Sequence, residues 1–534
     1  MKLTLEGIKN RGDWKKCTLP EYDIEAVRRR TLASPEWIHF GCGNIFRGYI
    51  ARLADDLIAK GEMQTGIIAV DFFNREPIEK VFAPHDDLCM TVGLCTNGKR
   101  TMRVIGSIAR TVACVDEGFG ELQTYFAAPS LKMISLTITE KGYAVRDSSG
   151  ALTAGAENDI SVGPEGKLST AMGKLCALVL ARYRAGGLAA ALCSMDNCSR
   201  NGEKLRESLL TVAGGWCKKG FADEGFIAYI TDTLTFPCSM IDKITPAPAA
   251  DMAVDFAAMG IEDMAPIVTA RGTHLAPYVN AEIPEYLVIE DRFPGERIPL
   301  EEAGVYITTL DVVEKTERMK VSACLNPLHT FLAIYGCLLG YKRISDEMAD
   351  EDLLYLVKKL GFDEGLPVVE PPGIISPEEF LREVIEVRLP NASLPDTPQR
   401  IATDTSQKLS VRFGETIKAH LEKGDAHDLT VIPLVIAGWI RYLTGIDDSG
   451  KEMALSPDPM LDELRETVRP EWFTVEHGLN EESSKQLNVL LSNDKIFGTD
   501  LVKAGLSDHI MALLDDMLSY AGAVRAELAY ARGR

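Results

Sequence analysis

Residues 37–71 read WIHFGCGNIFRGYIARLADDLIAKGEMQTGIIAVD, and this stretch decides the fold. Trp37 to Gly41 is the short apolar run a buried strand requires, and Tyr49 to Lys60 repeats apolar residues three and four apart, as an amphipathic helix does. Gly66 to Asp71 reads as a second buried strand. Between the first strand and the helix lies Gly41-Cys42-Gly43-Asn44-Ile45-Phe46-Arg47-Gly48. A GxG at a strand end permits a tight turn and lets the backbone approach a pyrophosphate, which rests on the N-terminus of the next helix. Phe46 stands where the third glycine of the usual fingerprint falls. A GxG turn alone is common, but strand, GxG, helix, strand and then an acid form a specific order. Asp71 follows Gly48 by 23 residues, where a carboxylate binds adenosine ribose hydroxyls and repels a 2′-phosphate. The expected cofactor contacts are Gly41, Gly43, Asn44, Ile45, Phe46, Arg47 and Asp71. NAD is favoured over NADP, with Asn74-Arg75 softening the preference.

Working outward, Leu131 to Thr137 and Leu188 to Ser194 read as further strands, with a helix over Ser169 to Arg184 between them. This repetition argues for parallel βαβ units with helices on both faces of the sheet. Asp147 to Gly166, rich in Gly, Ser, Ala and Asp, reads as an exposed excursion. After about residue 310 the pattern becomes helical: Leu328 to Tyr341, Glu351 to Leu360, Pro377 to Val387, Glu415 to Leu421, Val431 to Thr444, Ser483 to Leu491 and Asp508 to Arg525. The expected fold class is α/β, an N-terminal extended Rossmann-type nucleotide-binding domain over 1–308 followed by a mainly α-helical C-terminal domain over 309–534. No solenoid repeat or long low-complexity tract interrupts it.

Composition narrows the function. The chain of 534 residues carries 57 Lys+Arg against 78 Asp+Glu, a formal net charge of −21, with 46% apolar residues. Such acidity repels phosphate backbones, so nucleic acid is not an expected partner. The longest apolar runs are too short for a bilayer, which needs about 20 residues, so no membrane partner is expected either. The 12 cysteines form no CxxC pair and no Cys/His cluster at zinc spacing. Scattered thiols of this kind fit a reducing cytosol, and a cytoplasmic location without a metal site is expected.

The stretch richest in chemistry is Met319-Lys320-Val321-Ser322-Ala323-Cys324-Leu325-Asn326-Pro327-Leu328-His329. Asn then Pro before an apolar periodic run marks a helix start, with Asn326 near the N-cap and Pro327 at the first position. His329 then falls in the first turn, where the helix dipole is positive and keeps the imidazole neutral. Lys320, in a Cys- and Val-rich setting, is placed to lose hydration and to exchange a proton with a substrate oxygen. Spacing alone is equally met by a plain helix cap, a histidine in a local hydrogen bond and a solvated lysine. Two further clusters stand out: Ser194-Met195-Asp196-Asn197-Cys198-Ser199-Arg200-Asn201-Gly202 after a predicted strand, and the proline-bracketed Phe236 to Pro246 containing Asp242. Strand carboxyl ends are where open α/β sheets bind ligands.

Seven segments in order, IHFGCGNIFRGYIARLADDL, SLTITEKGY, SMDNCSRNG, FPCSMIDKITP, VIEDRF, KVSACLNPLH and RLPNASLPDTPQRIATDTSQK, resemble the signatures of the polyol-specific long-chain dehydrogenases. The resemblance covers about residues 36–445. It implies metal-free hydride transfer between NAD(H) and a polyol or sugar acid. It also implies a catalytic lysine at Lys320, oxyanion-stabilising asparagines at Asn197 and Asn326, and a substrate-binding histidine at His329. Asp242 matches the family's loop aspartate, and Arg388 falls where the family places a substrate-contacting basic residue. One departure matters: five residues separate Lys320 from Asn326 here, one more than in the family, an excess that a bulge ahead of the helix can absorb. Lys315 is the nearest upstream alternative and fits worse.

Within that family the segment KVSACLNPLH favours a sugar acid, D-mannonate/D-fructuronate, over mannitol/fructose, with tagaturonate a lesser alternative. A carboxylate substrate needs a cation, for which Arg388 and Lys408 are the candidates. The expected partner is a small sugar acid or polyol, taken by a monomer or small homo-oligomer. A non-catalytic NAD(H)-binding sensor is the reading from another class, and it would need neither the lysine nor the two asparagines.

Overall fold

A computed structural model of the protein describes residues 1–248, 250–270, 272–472 and 479–533. The chain divides into two compact units, Met1–Cys95 with Lys99–Glu314, and Thr96–Gly98 with Lys315–Arg534. The division falls within the helix Leu310–Arg318.

The core of the first unit is a five-stranded sheet of β1 (Trp37–Phe40), β2 (Ile67–Asp71), β3 (Ile108–Ala113), β4 (Met133–Leu136) and β5 (Ala191–Ser194). Every neighbouring pair is parallel, and the order is β3-β2-β1-β4-β5. Both faces are covered, which is why β1, β4 and β5 are buried at every position instead of alternating. The chain order reverses between β1 and β4, so a crevice opens where both strands end. β3 was not singled out in the sequence, because Arg110 and Thr111 interrupt its apolar run.

Helix α1 (Ala51–Lys60) continues a turn that begins at residue 44 and passes through a π turn at Phe46–Ile50. It stops at Gly61, whose φ of +81° suits glycine. The excursion expected over 147–166 is more ordered than its composition suggests. It contains a helix at Ala154–Val162, and Asp159 of that helix accepts the backbone amides of Ser169 (2.7 Å) and Thr170 (2.9 Å). Those bonds fix the entry of α2 (Ala171–Arg184), and a buried carboxylate among donors replaces the apolar packing that the composition lacks. Helix α3 (Asn201–Lys218) follows β5.

The second unit is helical, as expected. Its centre is α4 (Asn326–Leu339) packed against α5 (Val431–Leu443), with α6 (Ser507–Leu518) on α5. The close approach depends on Gly438, where an added Cβ would lie 2.6 Å from the Tyr335 ring. Asp508 to Arg525, expected as one helix, is two: α6 ends at Leu518, and a second helix begins at Ala523. Gly522, with φ of +97°, breaks them. The apolar stretch Leu310–Leu339 is long enough to cross a membrane, but 83% of its apolar window is buried inside the protein.

Candidate active site

The GxG turn lies at the carboxyl end of β1, at the point where the strand order reverses. Gly41 has φ of +114°, and an added Cβ would sit 2.2 Å from the carbonyl oxygen of Thr137. Only glycine fits. Around Gly43 nothing lies within 4 Å of an added Cβ, so this backbone is open to a ligand. Asn44 and Ile45 form the first helical residues. Phe46 is buried and stacks on His39 with ring centres 4.5 Å apart. The close helix–strand packing that a third glycine normally allows falls to Gly48 instead, whose added Cβ would lie 2.9 Å from Val279 Cγ1. Arg47 is fully buried, bonded to the carbonyl oxygen of Ala276 and, at 2.9 Å, to Asn44 Oδ1. It therefore steadies the turn from behind.

Asp71 ends β2. Its Oδ1 accepts the amides of Phe73 (2.9 Å) and Asn74 (2.8 Å), while its Oδ2 has no hydrogen-bond partner among the described residues. Beside it, Cys114 donates its amide to the Asp71 carbonyl at 2.7 Å. Cys114 and Lys174 line a cavity of about 550 Å³. A glycine turn at a helix N-terminus, an open backbone at Gly43 and a carboxylate oxygen with spare capacity fit a dinucleotide.

Asn197 is exposed in the loop after β5, and its amide bonds to nothing among the described residues. Its neighbours hold the loop. Asn201 is buried, donating to the Asp196 carbonyl (2.9 Å) and accepting from the Ser239 amide (2.9 Å). Burial pushes the Asp196 carboxyl up to about 7, and Tyr143 donates its hydroxyl to it. Asp242 ends the strand Ser239–Asp242 and is buried; the adjacent Lys243 pairs with Glu285. His39 carries no local signal, because its partners Ser135 and Thr137 lie far along the chain; Asp196 and Asn201 fall in the polar cluster after the strand, but their buried roles depend on Tyr143 and Ser239.

In the second unit Lys320 lies in a π turn, Met319–Cys324, and is buried. The Leu325 amide donates to the Lys320 carbonyl at 3.1 Å, five residues back. The turn thus holds one residue more than an α turn, which is the excess counted between Lys320 and Asn326. Lys315, one turn earlier, pairs with Glu370 at 2.6 Å. Asn326 opens α4 as its first residue, one place inside the expected N-cap, with Pro327 next. Its backbone carbonyl accepts from Thr330, and its side chain has no hydrogen-bond partner among the described residues, so its amide is a donor in waiting.

His329 is nearly buried, with Nε2 3.8 Å from Asp396 Oδ2. Burial pushes its imidazole down to about 4; Asp396 opposes that shift, while Arg412, Arg388 and Arg400 reinforce it. It is neutral near pH 7, as expected, although the decisive cause is burial. Arg388 is buried and stands over the Phe380 ring at 5.9 Å. Lys408 is half-buried and donates to the Thr403 carbonyl; its ammonium is lowered by burial first and then by Arg412. The structure thus brings His329, Arg388 and Lys408 together with Asp396, Arg400 and Arg412, three residues the sequence reading did not single out.

The mannitol dehydrogenase Rossmann domain matches residues 35–302, and the mannitol dehydrogenase C-terminal domain matches residues 312–518. The chain belongs to the mannitol dehydrogenase family. Among relatives within it, a D-mannonate oxidoreductase of Thermotoga maritima is 46% identical over 100% of this chain and 99% of its own. A polyol:NADP oxidoreductase of Gluconobacter oxydans is 30% identical over 81% of this chain and 83% of its own. The Pseudomonas fluorescens mannitol 2-dehydrogenase in a ternary complex with NAD and D-mannitol superposes with a TM-score of 0.73 at 25% identity, covering 99% of both chains. A D-sorbitol dehydrogenase without substrate gives 0.78 at 26% identity, covering 96% of this chain and 97% of its own. The two matched domains correspond to the α/β pattern and the helical pattern read from the sequence.

Proposed function

We propose that the protein is an NAD(H)-dependent oxidoreductase that interconverts D-mannonate and D-fructuronate. The observation that carries this reading is the group of cations around His329, where three guanidinium groups and one carboxylate act on the imidazole. A sugar acid brings a negative charge complementary to a group in which guanidiniums outnumber carboxylates around the imidazole; mannitol brings none. The Thermotoga D-mannonate oxidoreductase, similar along the whole chain, points the same way.

Gly41, Gly43, Asn44 and Ile45 would hold the pyrophosphate, and Asp71 Oδ2 the ribose hydroxyls, with Phe46 and Arg47 fixing the turn from within. Bound there, the nicotinamide supplies hydride to the carbonyl carbon or removes it from the alcohol carbon. Lys320 gives a proton to the substrate oxygen during reduction and takes it back during oxidation. The Asn326 and Asn197 amides donate to that oxygen as charge develops, worth roughly 3–4 kcal/mol per well-placed donor. Neutral His329 orients a neighbouring hydroxyl, and Asp242, Arg388 and Lys408 contact the rest of the substrate. We place the enzyme in the cytosol as a monomer or small homo-oligomer, in keeping with twelve cysteines that form no disulfide among the described residues.

The test is loss of NADH absorbance with fructuronate, tagaturonate and fructose offered separately. Turnover with fructuronate above the other two is the expected outcome. Preference for fructose would assign mannitol 2-dehydrogenase activity, the second reading, which the ternary-complex neighbour favours. NADH binding without turnover of any of the three would leave a sensor module.

A further inference from the structure

We propose that Arg412, a residue outside the expected substrate contacts, is the guanidinium that receives the substrate carboxylate and so selects sugar acids over neutral polyols. This rests on the sugar-acid reading above and names the group that enforces it.

Arg412 lies in a π turn at Ser410–Gly414, half-buried. Its Nη1 donates to Thr330 Oγ1 at 2.5 Å, and Thr330 in turn donates to the Asn326 carbonyl at 2.9 Å. The guanidinium is therefore tied to the first turn of α4, the turn that carries Asn326 and His329. No carboxylate lies within 4 Å of it among the described residues. Arg441, Arg525 and Arg400 of the same unit contrast with this. Arg441 is spread over Thr444 Oγ1 and the carbonyls of Met517, Ile446 and Asp447, Arg525 pairs with Asp350 at 2.6 Å, and Arg400 is engaged by Asp396. Arg412 answers its charge with one hydroxyl, and the remaining N–H groups are left to bind.

Desolvation without a counter-charge is costly to carry, and here it lowers the Arg412 guanidinium to about 10, still cationic near neutral pH. Lys408 stands one turn earlier, since the Arg412 amide donates to the Lys408 carbonyl at 3.0 Å, and Arg412 disfavours the charge on Lys408. A carboxylate arriving there answers the desolvated guanidinium and eases the charge on Lys408. The planar fork of a guanidinium matches a carboxylate with two parallel hydrogen bonds, which a hydroxyl of a polyol cannot use. Arg400 is the weaker candidate, because its side chain is 60% exposed and already holds Asp396.

The test compares full-length wild type, Arg412→Met and Arg412→Lys for fructuronate reduction, with KM and kcat for fructuronate, KM for NADH and melting temperature read together. Loss of a charged pair predicts a fructuronate KM raised about 30-fold or more in Arg412→Met, with kcat within about threefold. NADH KM should stay at the wild-type value, and melting should not fall, because an uncompensated charge has been removed. Arg412→Lys should lie between the two, keeping the charge without the fork. A fructuronate KM within about twofold of wild type in Arg412→Met overturns the assignment. So does a rise confined to NADH KM, which would make the group a cofactor phosphate contact, or a joint collapse of melting temperature and every kinetic constant. If Arg412→Met does not fold, the fructuronate KM of Arg412→Lys decides by the same criterion. A wild-type enzyme inactive on every sugar acid overturns the functional reading itself, and the assignment with it.

Discussion

The Leu325 amide reaches past the α-helical partner to the Lys320 carbonyl at 3.1 Å. This π-type bond sets where Lys320 stands relative to Asn326, because it stores the additional residue in the turn and leaves Asn326 and His329 in the regular helix that follows. π turns cost backbone geometry and concentrate at functional sites. Thr416 braces this one, its hydroxyl donating to the Ser322 carbonyl at 2.9 Å.

Removing the amine should therefore be felt in chemistry and not in folding. Lys320→Ala is expected to lower kcat for fructuronate reduction by about 10²–10⁴-fold, the usual worth of a positioned proton-transfer group. NADH affinity should hold, since the cofactor contacts belong to other residues. Stopped-flow turnover and NADH fluorescence titration check both. A variant retaining most of its turnover and the wild-type pH profile would remove Lys320 from the mechanism.

His329 makes a prediction about acid stability. Its folded imidazole is pushed down to about 4, against an ordinary value of 6.5. Between these values the unfolded chain binds a proton that the folded protein refuses, so stability is lost as pH falls from about 6.5 to about 4. The loss attributable to this group reaches about 3 kcal/mol. His329→Gln should melt with a shallower decline between pH 7 and pH 4.5, while its fructuronate KM rises. A decline identical to wild type would show that His329 is not the group responsible.

The two glycines of the turn should fail in different ways. Gly41→Ala forces a methyl to 2.2 Å from the Thr137 carbonyl at a φ of +114°, and a loss of about 2–4 kcal/mol of stability is expected. Gly43→Ala meets open space, so its melting temperature should match wild type. Its NADH dissociation constant should nevertheless rise about tenfold or more, because the methyl occupies the backbone's approach to the pyrophosphate. Thermal melts and NADH titration of the pair separate the two effects; equal melting temperatures for both variants would contradict the geometry.

Cofactor choice should turn on Asp71. With its Oδ2 uncommitted, the carboxylate is available to ribose hydroxyls and repels a 2′-phosphate. Asp71→Ser should lower the kcat/KM ratio of NADH to NADPH by about tenfold or more. Arg75, now paired with Asp116 at 3.4 Å, is close in sequence and largely exposed, and Asp71→Ser combined with Arg75→Ala should lose the gain with NADPH. An unchanged ratio in Asp71→Ser would mean that another group reads the ribose.

Much of the nucleotide half was legible because its signals are local. A buried strand, GxG and an amphipathic helix occupy consecutive residues, and Asp71 ends the next strand. The helical unit was legible for the same reason, through its period. Where local pattern ran out, the reading failed in specific ways. Gly48, not the position of Phe46, provides the close packing of a third glycine, since a π turn shifts the helix face. The break at Gly522 divides a helix whose apolar period runs on across it.

The sequence by itself determined the order of elements, the family signatures and the residue types available for proton transfer, because each depends on neighbours within a turn or a strand. Only the tertiary structure decided which charges are answered. Arg441 and Arg412 both lie in helical segments, yet one is satisfied by the Ile446 and Asp447 carbonyls just past its own helix together with the Met517 carbonyl of α6, and the other is met by a single threonine hydroxyl. Burial and counter-charge are set by residues tens to hundreds of positions away, so the neutrality of His329 and the open guanidinium of Arg412 exist only once the chain has folded.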